Sequence, residues 1–270
     1  MIACYDLARC PPTYDVVAFL ALLEIERLRL GEEHVDLHIL PGPAGGFRAD
    51  SHWPRTIEER VHLRENVLVP LCRLLPSVRS VEVRLDRKVD GWGKGEYLVG
   101  LPAILRALRG GSRPLRGERL LKHELDSRLL TFTLREAEHH SLRNSRTAEW
   151  QDAASVLGMR GRGDVIILRD HRVEPIELAA RAALYTRAAL NIGISNGPMW
   201  MAIFMDAPVL MLRPTTNAAS GCYDDRFYAR CGLPRGSQLP TSPPHQRLVW
   251  EEDTRENIVR GVEEMLVCAS

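Results

Sequence analysis

Apolar residues along the chain fall into short dense runs separated by polar stretches rich in glycine and proline. MIACYDLA reads as a buried strand, RCPPTYD as a loop, and VVAFLALLEIERLRL as a long helix ended by Gly31, since glycine tolerates the left-handed backbone that closes helices. HVDLHILPG is the next strand. A strand, helix and strand within about 40 residues imply a right-handed parallel crossover. TIEERVHLRENVLVPLCRLL supplies another helix, opened by a Thr56, Glu59 capping box, and VRSVEVRL a third strand. Residues 86–127 break the rhythm: DGWGKGEY and RGGSRPLRG are rich in glycine and arginine, with the short helix LPAILRALR between them. An inter-domain crossover is placed near here.

A second series follows. LLTFTLR is a strand, HHSLRNS a polar loop, and Ala148 to Leu157 a helix. DVIILRD, LNIGIS and APVLMLRP are strands, interleaved with the helix IELAARAALYTRAA and one beginning after Gly197. The end of the chain carries LPTSPPHQ, the short run RLVW, and a closing helix DTRENIVRGVEEMLV with Asp253 or Thr254 as its N-cap. Alternation on this scale predicts an α/β fold with parallel sheets covered by helices on both faces. The expectation is two Rossmann-like domains, residues 1–115 and 116–270, whose strand ends face one another across a cleft.

Composition narrows the function classes. At 270 residues, 45% hydrophobic and 26% charged, the chain can bury two proper cores. No apolar run approaches the roughly 20 residues of a membrane span. MIACYDLARC lacks the basic region and long apolar run of a signal peptide, so a cytoplasmic protein with no integral membrane segment is expected. Lys88, Lys94 and Lys122 are the only lysines; the other basic side chains apart from histidine are arginines. Guanidinium groups suit bidentate phosphate binding, but a formal net charge of +1 argues against a nucleic-acid partner. Cys4, Cys10, Cys72, Cys222, Cys231 and Cys268 contain no C-x-x-C pair, so zinc is not expected and reduced thiols are.

The densest candidate chemistry lies where the strand LNIGIS stops at Ser195-Asn196-Gly197-Pro198-Met199 and restarts as a helix. Proline is tolerated in a first helical turn, Gly197 permits close approach to the backbone, and free amides with the helix dipole favour an anion there. An ordinary turn with Ser195 or Asn196 as N-cap is the plain alternative. A second constellation follows the strand LLTFTLR: Arg135, Glu136, His139, His140, Arg143, Asn144, Ser145 and Arg146. If the sheet is parallel this loop faces the same cleft as Gly197, and its donors could neutralise a diphosphate. Its alternative is a solvated basic loop in which Asn144 or Ser145 caps the next helix.

The segment GISNGPMWMAIFMDAPVLMLRP resembles the C-terminal domain of bacterial heptosyltransferases and related GT-B glycosyltransferases. There a G-x-D-T-G-P-M-H-x-A-A run precedes the strand P-V-v-a-L-f-G-P. Gly193, Gly197, Pro198, Met199, Ala202, Pro208, Val209, Leu212 and Pro214 carry the likeness. Ser195-Asn196 stands where the family has Asp-Thr, and Trp200 where it has His, so those donor contacts are not carried over. The resemblance implies a GT-B arrangement and a nucleotide-sugar donor, with sugar transfer to a hydroxyl-bearing glycan or small-molecule acceptor, in keeping with cell-surface glycan synthesis. It further implies that the loop after the first strand carries the base that deprotonates the acceptor; Asp15 is the matching position, with Asp6 a competing carboxylate and an N-cap role the alternative for Asp15. Two alternatives stay open: another sugar-nucleotide enzyme, epimerase or fucosyltransferase-like, and a catalytically inactive GT-B-like binding or scaffold protein.

The remaining features add little. LPGPAGGFRAD, with Gly42, Gly45, Gly46 and Arg48, is a candidate acceptor loop without the G-x-G-x-x-G spacing of a nicotinamide dinucleotide site, so no cofactor beyond the donor substrate is expected. No D-x-D motif is present, and arginines with a helix N-terminus would make a divalent metal unnecessary. His34 and His38 bracket a strand start and do not read as a metal pair. Glu174 and Glu177 fit a first helical turn, and Met199, Met201, Met205 and Met211 fit core packing.

Overall fold

In the computed structural model the apolar runs become strands of two separate parallel sheets, one in each of two units, Met1–Arg116 and Gly117–Ser270. The structure describes residues 1–49, 56–117, 128–137, 141–169, 177–215 and 224–268. Lys122, His139, His140, Glu174 and Cys222 lie outside them, as does the side chain of Cys268. No helix among the described residues is long and apolar enough to cross a membrane.

The first unit runs β1 (Ile2–Asp6), α1 (Val16–Leu30), β2 (Val35–Leu40), α2 (Ile57–Leu63), α3 (Val69–Arg73), β3 (Val78–Val83) and α4 (Gly100–Arg109). Its strands pair in the order β1-β2-β3. The first half of α1, Val16 to Leu23, is buried on all sides, which is why its sequence shows no polar stripe there. Gly31 closes it at φ +69°. Both halves of the capping box form on α2: the Glu59 amide donates to Thr56 Oγ1 at 3.2 Å and the Thr56 amide to Glu59 Oε2 at 3.0 Å. Between α2 and α3 a π-helical turn, Arg64–Leu68, widens the coil just before Pro70. Proline has no amide for the carbonyl four residues back, and the wider turn absorbs the mismatch. The glycine-rich stretch DGWGKGEY belongs to this unit and seals its sheet. The Cys4 amide donates to the Trp92 carbonyl at 2.8 Å, and the Trp92 ring packs 5.2 Å from Phe19. A Cβ on Gly93 would lie 2.8 Å from the Phe19 ring and 2.9 Å from the Cys4 carbonyl, so only glycine fits there.

The second unit runs β4 (Leu129–Leu134), α5 (Thr147–Met159), β5 (Asp164–Arg169), α6 (Leu178–Arg187), β6 (Leu190–Ile194), α7 (Gly197–Phe204), β7 (Val209–Leu212), α8 (Asp225–Arg230), β8 (Gln246–Val249) and α9 (Arg255–Cys268). Its strands pair in the order β5-β4-β6-β7-β8, all parallel. Every residue of β4, β6 and β7 is buried, as expected of strands covered on both faces. Leu130, Phe132, Leu134, Ile192, Ile194, Leu210 and Leu212 meet Trp150, Leu157, Ile258 and Val262 in one core. Met199, Met201, Met205 and Met211 are buried. The polar side chains inside the sheet are paired: Thr131 Oγ1 donates to Asn191 Oδ1 at 2.7 Å, and Asn191 Nδ2 to the carbonyls of Tyr185 and Pro208 at 3.0 Å.

Of two helix starts, that of α5 differs from the sequence expectation and that of α9 takes the second of its two candidates. Neither Asn144 nor Ser145 caps α5; Arg146 holds the cap position without a side-chain bond, and its amide donates to Asp253 Oδ2 at 2.9 Å. Asp253 in turn leaves the start of α9 to Thr254, whose Oγ1 accepts from the Asn257 amide at 3.4 Å. The fully buried Asp253 carboxylate serves the start of α5 from a distance and also takes the indole N–H of Trp150 at 2.8 Å.

Candidate functional site

From β4 the chain builds outward in both directions, to β5 on one side and β6 on the other. Open parallel sheets leave a crevice beyond the carboxyl ends of two such strands, because the two connecting helices lie on opposite faces. Both constellations singled out in this half of the sequence sit at that point, one after β4 and one after β6.

The described residues of the loop after β4 bond to one another. The Ser145 amide donates to the Arg135 carbonyl at 2.9 Å, and the Arg135 amide to Ser145 Oγ at 2.9 Å. Asn144 clasps the chain: its Oδ1 accepts from the Ala137 amide at 3.0 Å, its Nδ2 donates to the Ala137 carbonyl at 2.9 Å, and the buried Arg135 guanidinium also donates to Oδ1. Arg143 leaves the loop and donates from Nη2 to the Ser195 carbonyl at 3.1 Å, joining the ends of β4 and β6. Arg146 turns away, toward Glu252 at 2.9 Å and Asp253 at 3.9 Å.

The turn after β6 is shaped by its own side chains. Asn196 caps α7, with Oδ1 accepting the Met199 amide at 3.0 Å. The Trp200 amide bonds the Asn196 carbonyl at 3.2 Å, and Pro198 has no amide to give. The first turn therefore offers fewer free donors than its sequence implies, with the Gly197 amide left over among the described residues. Asn196 Nδ2 is buried and has no hydrogen-bond partner among the described residues. Ser195 Oγ lies 3.2 Å from the Tyr228 hydroxyl. Met199 packs so closely on β6 that a Cβ on Gly193 would come within 2.8 Å of its Cγ and Sδ. Gly193 thus lets the first turn of α7 settle onto the strand.

Sequence reasoning missed two participants. Arg213 follows β7 directly, and its Nη2 donates to the carbonyls of Arg143 at 3.2 Å and Asn144 at 2.7 Å. Asp253, read only as a helix cap, faces Arg213 Nε at 3.3 Å. The signal for Arg213 was its place at the carboxyl end of a strand, the edge shared with Arg135 and Ser195.

In the first unit the corresponding sheet edge holds two carboxylates with different surroundings. Asp6, buried at the end of β1, accepts both Arg87 nitrogens at 2.6 Å and the amides of Ala8 and Gly95 at 2.9 Å. Burial alone would raise its carboxyl; the Arg87 and backbone hydrogen bonds outweigh that and hold it below its ordinary value. Asp15, half-buried at the start of α1, makes no capping bond and accepts from Thr13 Oγ1 at 2.7 Å. The nearby Tyr97 hydroxyl is raised above its ordinary value by desolvation first and by the Asp15 charge second, with Arg48 opposing. The Gly42 to Arg48 segment folds into a tight turn, the Gly42 amide on the Gly46 carbonyl at 2.8 Å, and Arg48 reaches the Arg9 carbonyl at 3.2 Å. Desolvation pushes the neighbouring Cys10 thiol up to about 11, so it stays protonated at neutral pH.

No protein-family model matches the chain, and no curated protein sequence does. Solved structures do match. The iron-containing dodecameric glycosyltransferase TibC of enterotoxigenic E. coli aligns over 99% of this chain and 76% of its own, with a TM-score of 0.54 at 11% identity. E. coli heptosyltransferase WaaC, solved with ADP-2-deoxy-2-fluoro heptose, aligns over 100% of both chains, with a TM-score of 0.50 at 10% identity. The likeness is one of fold: parallel sheets in two Rossmann-like units of the GT-B kind.

Proposed function

We propose that the chain is a glycosyltransferase that moves a sugar from a nucleotide-sugar donor to a hydroxyl acceptor. The observation that carries this reading is the Arg143 guanidinium bridging to the Ser195 carbonyl at 3.1 Å, which brings a cationic loop and a helix N-terminus together at the point where strand order reverses. An anion placed there meets Arg143, the Gly197 amide and the positive end of α7. In this reading Arg135, Asn144 and Ser145 build the loop, and Arg146 anchors its far end. Ser195 and Asn196 shape the turn, Pro198 starts the helix, and Met199 seats it.

The reaction asks for two things of the protein. The leaving nucleoside diphosphate needs its developing charge stabilised as the bond from the anomeric carbon to phosphate oxygen breaks. The acceptor oxygen needs its proton removed as it bonds to that carbon, and Asp15 receives it. Guanidinium and backbone donors take the place that a divalent cation would otherwise fill.

The test is titration of the protein with ADP, GDP, UDP and CDP by calorimetry and thermal shift, each with and without EDTA. One diphosphate is expected to bind and raise the melting temperature, with chelator making no difference. Arg143→Ala should weaken it by about 10- to 100-fold, the worth of one charge-assisted contact. Absence of binding by all four would sink the proposal.

A further inference from the structure

We infer that Arg213 is a positioning residue for the donor site, holding the Arg143–Asn144 segment across the ends of β4 and β6 while Asp253 holds Arg213. The inference rests on the donor-site reading above and adds to it a residue that touches no ligand.

Four observations carry it. Arg213 Nη2 donates to two successive carbonyls, Arg143 at 3.2 Å and Asn144 at 2.7 Å, and Nη1 lies 3.5 Å from that of Leu142. A planar fork with fixed donors can bind successive backbone acceptors in one orientation, which a flexible ammonium cannot. Asp253 is fully buried with Oδ1 3.3 Å from Arg213 Nε, an ion pair without a hydrogen bond among the described residues, so the guanidinium charge is compensated from behind. The loop is therefore held without adding net positive charge to the site. Finally, Arg213 has φ +43°, a left-handed conformation that a side chain disfavours. Its amide keeps the turn by donating to the carbonyls of Val249 at 2.9 Å and Glu251 at 3.1 Å. A glycine would take that backbone without strain, so an arginine there is retained at a cost that its side-chain contacts offset.

That geometry supplies two variants, one of which keeps a cation beside the buried Asp253. Arg213→Gly relieves the backbone while deleting the fork, and Arg213→Lys keeps the charge while losing the paired donors. Amide exchange of the full chain without nucleotide reads the hold directly. The amides of Ala137, Asn144 and Ser145 should exchange about tenfold faster in Arg213→Gly, by less in Arg213→Lys, with those of β4 and β6 unchanged. Affinity for whichever of ADP, GDP, UDP and CDP binds the wild type should fall about tenfold in Arg213→Gly, and by nothing further in an Arg143→Ala background, because Arg213 acts through Arg143. Unchanged loop exchange, or full additivity of the two substitutions, overturns the inference. Faster loop exchange in a protein that binds none of the four diphosphates overturns the donor-site reading and the binding role of Arg213 with it, while leaving the hold on the loop established.

Discussion

At the scale of single residues, two aspartates near the end of β1 show how surroundings divide one residue type into two jobs. Asp6 is enclosed and answered by Arg87 and two amides, whereas Asp15 is half-buried with one hydroxyl partner. Asp6 is held below its unfolded value of about 3.9, so its contribution to stability is complete above that pH and is lost as pH falls through the folded value. Asp6→Asn should therefore destabilise the protein at pH 7 by roughly 1–3 kcal/mol, less than for a fully enclosed pair because Arg87 is 40% exposed. In urea titrations at several pH values the gap between wild type and variant should stay constant down to about pH 5 and narrow below pH 4. A gap of the same size at pH 3 and pH 7 would refute this account of Asp6. The sequence could not separate the two carboxylates, because Arg87 lies 81 residues beyond Asp6 and nothing local marks the partnership.

At the scale of elements, the strands were readable because β4, β6 and β7 are buried throughout and must be continuous apolar runs. Caps were readable only where both partners are local, as with Thr56 and Glu59. The start of α5 was not, since its acceptor Asp253 comes from 107 residues away. The same limit hid Arg213, whose carbonyl partners lie 69 and 70 residues back along the chain. The start of α7 was partly readable: Asn196 as a cap follows from residue type, but its use of the Met199 amide, which removes a donor from any ligand, needs the geometry. Asn196→Asp separates the two roles. An aspartate caps as well as asparagine and favours the helix dipole, but its second oxygen would be buried where Asn196 Nδ2 finds no partner among the described residues, so chemical denaturation should show a loss of roughly 1–3 kcal/mol with the cooperative transition kept. It also puts a negative charge where the proposed diphosphate sits, so calorimetry should show affinity for the bound nucleotide reduced by at least about tenfold. Equal nucleotide affinity in wild type and Asn196→Asp would mean that the anion lies elsewhere.

At the scale of the whole molecule, the division into Met1–Arg116 and Gly117–Ser270 sets what each half can do alone. The core cluster of the second unit draws on β4, β6, β7, α5 and α9, with Val165 and Ile167 of β5 and Val249 of β8 packed against it, and Asp253, Arg213, Arg143 and Ser195 all belong to that unit. Asp15 belongs to the other unit, on a separate sheet. The proposed binding of the donor and the proposed activation of the acceptor thus fall on different stretches of the chain, each with its own sheet. Residues 117–270 expressed alone should melt cooperatively and bind the same nucleoside diphosphate as the full chain, within about threefold in calorimetry, because every proposed donor contact travels with them. That fragment should transfer no sugar to any acceptor that the full chain uses, and Asp15→Asn in the full chain should bind nucleotide normally while turnover falls by about 100-fold or more. A fragment that folds but has lost the nucleotide would show that the first unit contributes to donor binding, and the assignment of the donor to the ends of β4 and β6 alone would have to be given up.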